Sequence, residues 1–212
     1  RPDRDLQMET LAGVLNGEIL IQNHCYRADE MLQMIDIARE FGYKIASFHH
    51  AVEAYKIRDV LAKEGICGSM WADWWGFKIE AFDGIKENIP LMHEAGACAI
   101  VHSDDEQGIQ RLNQEAAKTM GAARVHGIAI TREDAIKWIT INAAKAIGVD
   151  KWTGSLENGK MGDVVIWNGD PFSVYAKAEK VFIDGALMYD RLDPSRQPRS
   201  DFMLGIIPGE VR

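Results

Sequence analysis

Nowhere in the 212 residues does an apolar run approach the roughly 18 needed to cross a bilayer, so no membrane partner is expected. A dense Lys/Arg block is missing too: 24 basic residues are scattered against 32 acidic ones, for a net charge of −8. Phosphate backbones are gripped by clustered cations, so nucleic acid is not an expected ligand. Cysteine is scarce; Cys25, Cys67 and Cys98 stand far apart without a C-x-x-C pair. That spacing offers neither a disulfide framework nor a cysteine zinc knuckle, and reads as reduced thiols in a reducing compartment, with the cytoplasm favoured. No Gly-rich phosphate loop follows any strand-like run, which argues against an unrelated barrel built for phosphate or flavin. The opening "RPDRDLQMET" lacks a signal-peptide pattern, but the chain starts at Arg1 rather than Met. Any signal peptide is therefore expected upstream, and the compartment stays open.

What is present is a 47% apolar chain able to bury one or two cores, patterned as strand-then-helix units. "EILIQNH" (18–24), "YKIASFHH" (43–50), "GICGSMW" (65–71) and "ACAIVHSD" (97–104) are β-rich runs. Helical periods follow in "RADEMLQMIDIAREFG", "EAYKIRDVLAKEG" and "GIQRLNQEAAKTMG", the first two stopped at Gly42 and Gly65. A further helix, "TREDAIKWITINAAKAIG", has Thr131 as N-cap, Asp134 as capping-box partner and Gly148 as stop. Strand–helix units in series predict a parallel sheet with helices outside, over residues 1–150. Glycines then crowd, and "VVIWNGDP" and "KVFIDGALMYD" predict a small all-β appendage over 151–212, with Asp184-Gly185 as a hairpin turn. The proline-bearing tail from Asp193 is expected to wrap over the surface.

Three chemically capable groups fall at the carboxyl ends of these strands: His24, the His49/His50 pair and Asp104, spaced 26 and 54 residues apart for His24, His50 and Asp104. That edge is where parallel α/β folds build active sites. Two imidazoles and a carboxylate converging there make a candidate site for zinc or a similar divalent ion. A lone strand-end histidine is as readily a hydrogen-bonded or exposed side chain, and Asp104 has an alternative as a helix cap, a task open to Ser103 and Asp105 as well. Strand alternation lets only one of His49 and His50 face inward. His102 is read as packed or supporting, and His93 and His126 as without a role. Trp71, Trp74 and Trp75 crowd one loop, either as packing or as a pocket wall, and Tyr26, close after His24, is a further candidate substrate contact. Arg27 has two readings, a grip on a substrate carboxylate or a salt bridge to Asp29, Glu30 or Glu53.

Across nearly the whole chain, "HCYRADEMLQMIDIAREFG", "HHAVEAYKIRDVLAKEG", "MWADWWGFKIEAFDG", "IVHSDDEQGIQRLNQEAAK", "TINAAKAIG" and "GSLENGKMGDVVIWNGDPF" resemble the second half of an amidohydrolase-superfamily enzyme. The nearer likeness is to imidazolonepropionase-like and prolidase-like members. The resemblance implies an α/β fold: the carboxyl-terminal half of a metal-dependent (β/α)8 TIM barrel, strands five to eight, followed by part of a small β-sandwich. It implies that His24 and His50 are metal ligands, His50 being three residues before the family's glutamate, here Glu53. It also implies that Asp104 is both ligand and proton acceptor, and that His49 either supports a ligand or is structural. The implied reaction is hydrolysis of an amide or cyclic C–N bond in a small-molecule or dipeptide-like substrate, with one or two divalent ions, zinc being favoured, in the intact parent. The family's His-x-His pair and fourth-strand ligand have no counterpart here, so the implied entity is a carboxyl-terminal fragment, poor in metal binding and inactive alone. Completion by a missing amino-terminal half, or self-association through exposed strand edges, is expected. The competing reading is a non-catalytic half-barrel module that self-associates or completes a partner.

Overall fold

The computed structural model describes residues 3–198 and divides into two compact units, one ending at Ser155 and the other beginning at Leu156. The first begins with helix α1 (Leu6–Leu15), whose first-turn amides at Gln7 and Met8 donate to the Asp5 carboxylate. Then come β1 (Ile21–Cys25), α2 (Ala28–Phe41), β2 (Ile45–His50), α3 (Arg58–Glu64), β3 (Cys67–Met70), α4 (Asn88–Glu94) and β4 (Cys98–Val101). Helices α5 (Leu112–Val125), α6 (Arg132–Lys137) and α7 (Ile141–Ala146) complete the unit. The four strands form one parallel sheet in the order β1-β2-β3-β4, each successive strand adding beside the last.

Gly42 and Gly65 end α2 and α3 in the left-handed region, at φ 75° and 68°, where a side chain is disfavoured. The helix expected across 131–148 is two helices. Thr140, between Ile139 and Ile141, leaves the helical region at φ −135° and turns its hydroxyl onto the Ile136 carbonyl, 2.7 Å away. Such a run of β-branched residues is stiff, and a Thr hydroxyl competes for backbone acceptors. The helix expected from Glu53 opens as a 3-10 turn over Ala54–Ile57, and the Glu53 carboxylate accepts the Ala28 amide at the start of α2 at 2.9 Å.

The helix-facing core holds Met31, Ile35, Phe48, Leu61, Ile89 and Met92, each at most 2% exposed. Burying each of these contributes about 1.5–3 kcal/mol. On the alternate parity, the register sets two rows across the sheet: Gln22, Ser47, Cys67 and Cys98, then His24, His49, Ser69 and Ile100. Helix α7 touches both rows: Ala146 packs with Cys67 of the first and Ile100 of the second, and the Gln22 amide donates to the Ala146 carbonyl at 2.6 Å.

That register overturns the reading of the cysteines as separate reduced thiols. Cys67 and Cys98 are direct partners across β3 and β4, with Cα atoms 4.4 Å apart, and form a disulfide. Their separation of 31 residues is one strand–helix–strand unit, which a parallel sheet closes into adjacency. The thiol argument for a reducing compartment goes with it. Cys25 is the free cysteine, its thiol pushed up to about 11 by burial.

The second unit is a three-stranded antiparallel sheet of β5 (Val164–Trp167), β6 (Ala178–Ile183) and β7 (Ala186–Asp190) in that order. Asp184 and Gly185 both have positive φ, 49° and 78°, as the tight hairpin turn requires. The tail expectation lies, from residue 199 onward, outside the described residues. Among the described residues no helix is long and apolar enough to cross a membrane.

Candidate active site

His24 near the end of β1 and His50 at the end of β2 meet: His24 Nδ1 lies 2.8 Å from His50 Nε2. Backbone geometry makes the meeting possible. His50 and Ala51 sit at φ 71° and 36°, so the chain leaves the pleat at His50 and the alternation that separates neighbouring strand residues stops there. His49 and His50 therefore both reach His24, with ring centroids 5.5 and 4.7 Å away. The expectation that only one of the pair faces inward fails for this reason. His49 is tied by Nε2 to the Gln22 side chain at 2.9 Å, on its own strand parity.

Asp104 follows β4 by three residues, on a loop rather than at the strand's end, and is held at φ 51°. Its Oδ2 stands 3.9 Å from His50 Nδ1, and its side chain is 57% exposed. The hydrogen bonds of this loop are made by its neighbours: the Asp105 carboxylate accepts the Gly108 amide, and the Ser103 hydroxyl donates to the Asp105 carbonyl. His102 packs beneath, its ring 5.4 Å from that of His50. Among the described residues, His50 Nδ1 and His102 Nε2 are buried without a hydrogen-bond partner.

Burial keeps these rings neutral. It is the largest influence lowering His50 to about 4, against the opposing pull of Asp104, and His102 to about 3, helped by the neighbouring histidines. His49 is lowered by burial and then by His24. A neutral imidazole presents the lone pair that a metal ligand needs. The nitrogens of His24 and His50 that face one another at 2.8 Å are both of a type that can ligate a divalent ion. Among the described residues, however, no three His, Cys, Asp or Glu side chains gather into a group that would hold one. The fit is to part of a shell.

Aromatic stacking fixes the His50 ring. Tyr26 lies on one side, centroids 4.6 Å apart at 16°, and Trp71 stacks at 4.8 Å and 24°. Trp71 is buried and donates its indole N–H to the Ser103 carbonyl at 2.6 Å, tying this stack to the loop that carries Asp104. Above lies a cavity of about 480 Å³ walled by Tyr26, Trp71, Trp74, Trp75 and Phe77, with Asp73 and Asp104 as its polar lining. Arg27 is not among the lining residues; its guanidinium pairs with Asp29 at 3.0 and 3.1 Å. Asp73, Phe77 and Lys78, whose ammonium sits 3.7 Å above the Tyr26 ring, were not legible as site residues, since nothing in local period marks a loop residue as pocket-facing.

A family profile described as "Amidohydrolase family" matches residues 56–189, more than half the chain. This chain belongs to the amidohydrolase family. The matched span includes Trp71, Trp74 and Asp104, while His24, Tyr26, Arg27 and His50 precede it. Amidohydrolase tasK of Hapsidospora irregularis is 28% identical over 191 residues, covering 88% of this chain and 19% of that protein. The imidazolonepropionase of Pseudomonas syringae pv. tomato is 51% identical over 39 residues, 18% of this chain and 10% of that one. Among solved structures, an amidohydrolase from Thermotoga maritima MSB8 superposes with a TM-score of 0.79 at 33% identity, over 90% of this chain and 49% of that one. A Xaa-Pro dipeptidase with bound methionine shares the fold, with a TM-score of 0.64 at 15% identity, over 84% of this chain and 46% of that one. The amidohydrolase chain thus spans less than half the length of each of these relatives.

Proposed function

We propose that this chain carries the carboxyl-terminal part of the active site of a metal-dependent amidohydrolase that cleaves amide or cyclic C–N bonds. The observation behind it is the 2.8 Å approach of His24 Nδ1 to His50 Nε2, with the Asp104 carboxylate 3.9 Å from the other nitrogen of His50. His24 and His50 would contribute two imidazoles to a divalent-ion site, zinc by that chemistry, with Asp104 as the proposed carboxylate ligand and the complementary half supplying the rest of the shell for the one or two ions of the complete site. When bound, such an ion supplies a Lewis acid and lowers the pKa of water from about 15.7 toward about 7. Asp104 accepts the proton of the attacking water at its carboxylate and returns it to the departing nitrogen. Its exposure to the cavity suits that exchange. Tyr26 and Trp71 hold the His50 ring in one orientation. Tyr26, Trp71 and Trp74 form the wall for a small-molecule substrate, while Arg27 pairs with Asp29.

The four-stranded sheet is the carboxyl-terminal half of a (β/α)8 barrel in this reading, and the antiparallel unit part of a β-sandwich. Both β1 and β4 are edge strands, the places where the remaining strands of a closed barrel pair. The complementary half would supply the rest of the metal shell; self-association through the same edges is the competing outcome. The test is C–N bond hydrolysis by the chain alone and after combination with a polypeptide supplying the first four barrel units. Activity in the combination, lowered on the order of 100-fold or more by Asp104→Asn, supports the proposal. Turnover by the chain alone as a monomer contradicts it.

A further inference from the structure

Arg27, the side chain that the sequence offers for gripping a carboxylate, is paired with Asp29 at 3.0 Å. Other cations around the aromatic loop are likewise held: Lys118 by Asp73 and Glu115, both at 2.8 Å, and Lys56 by Asp83 at 2.6 Å and Glu53 at 3.1 Å. Lys78 differs. Its ammonium lies 3.7 Å from the centroid of the Tyr26 ring and 5.8 Å from that of Phe77, and among the described residues no carboxylate pairs with it. Both of those rings wall the cavity, and Tyr26 stacks on His50 at 4.6 Å. The backbone that carries Phe77 and Lys78 is closed by the Gly76 amide, which donates to the Ala81 carbonyl at 2.8 Å. An aromatic face attracts the ammonium without neutralising it, so its charge and N–H donors stay open to an anion.

We infer that Lys78 is a specificity-determining residue of this cavity, and that it receives a carboxylate of the ligand in the place of Arg27. The two carboxylates of the lining do not compete for it: Asp73 is paired with Lys118, and Asp104 belongs to the ligand set proposed above. An apolar body of the ligand rests on Trp71 and Trp74, and its carboxylate meets the Lys78 ammonium in a charge-assisted contact at the Tyr26 side. Lys86 supplies the contrast. It too stands near a wall ring, 5.7 Å from the centroid of Trp75, but it lines a separate hollow together with Lys118 and His126. The inference rests on the cavity being the mouth of the proposed active site, and it names the side chain by which that site tells a charged ligand from a neutral one.

The test pairs two probes that share a benzoyl ring and differ in charge, benzoylglycine and benzoylglycinamide. Both are titrated at neutral pH into the metal-free full chain and followed by tryptophan fluorescence and by saturation-transfer NMR. Lys78 is exposed, so Lys78→Met removes the charge without opening the core. That variant is expected to weaken benzoylglycine about tenfold, as loss of one charge-assisted contact entails, and to leave benzoylglycinamide within about twofold. Lys86→Met is expected to leave both probes as they bind the parent chain. Each variant is compared with the parent for each probe, so the charge of Asp104 is common to both sides of the comparison. No saturable binding of benzoylglycine, an equal loss of both probes in Lys78→Met, or the same loss of benzoylglycine in Lys86→Met each overturns the inference. No metal and no turnover enter these readouts, so they fail independently of the hydrolase proposal, whose own test is activity of the completed enzyme.

Discussion

His24 Nδ1 and His50 Nε2 stand 2.8 Å apart although 26 residues separate them in the chain. Parallel pairing of β1 and β2 brings their strand ends together, and the positive φ of His50 swings its ring across the remaining gap. The site is thus the product of a sheet register and one unusual backbone conformation.

Trp71 joins the histidine stack to the Asp104 loop, so its removal should be felt in stability as well as in the site. Trp71→Ala is expected to cost about 3–5 kcal/mol through the cavity it leaves. Trp71→Phe keeps a ring on His50 but leaves the Ser103 carbonyl without its indole donor, and is expected to cost about 1 kcal/mol or somewhat more. Urea denaturation of the two variants measures both. A cost for Trp71→Phe equal to that of Trp71→Ala would mean that Trp71 stabilises the fold through its hydrogen bond and not through its ring.

Much of the first unit was legible because a parallel sheet repeats its grammar: an apolar run, a polar strand end, an amphipathic helix, a glycine stop. Gly42, Gly65 and Gly148 all adopt the left-handed region that a stop implies. The reciprocal capping box of Thr131 and Asp134 is present as spelled. His24 and His50, both near strand ends, come together, while Asp104 lies on the loop beyond β4 with its carboxylate 3.9 Å from His50. What was illegible depended on three-dimensional register or single dihedrals. The Cys67–Cys98 bond needed the pairing of β3 with β4, and the shared side of His49 and His50 needed the φ of 71° at His50. Helix α1 escaped notice because its apolar residues surround it, with Leu6, Met8, Leu11 and Leu15 all more than half exposed, so no single face marks it.

The Cys67–Cys98 bond closes a loop of 31 residues and ties edge strand β4 to its neighbour. Loop closure of that length predicts a contribution of about 3–4 kcal/mol. Adding a thiol reductant, or replacing both cysteines by serine, should lower the urea midpoint and steepen the slope, because the released unfolded chain exposes more surface. An unchanged midpoint in both cases would mean that the oxidised and reduced chains are equally constrained.

Acid stability should carry the signature of Asp134. The Thr131 hydroxyl, then Lys137, hold its carboxyl down at about 2, so the folded value lies below the unfolded one of about 3.9. The stabilisation is therefore complete above about pH 4 and is lost as pH falls toward 2. Asp134→Asn should be less stable than the parent chain at pH 7, with the difference shrinking through that window. Thr131→Ala removes the cap and is expected to cost about 1 kcal/mol at neutral pH. A pH-independent gap between the parent and Asp134→Asn would show that the carboxylate acts only as a packing group.

Zinc affinity, read by competition with a chromophoric chelator on the full chain, tests the central claim most directly. The account predicts weak binding that falls about tenfold or more in both His24→Ala and His50→Ala, as loss of a ligand from a metal site entails, and that survives His126→Ala beyond the end of α5. Zinc binding unchanged in the two strand-end variants, or lost equally in all three, would contradict it.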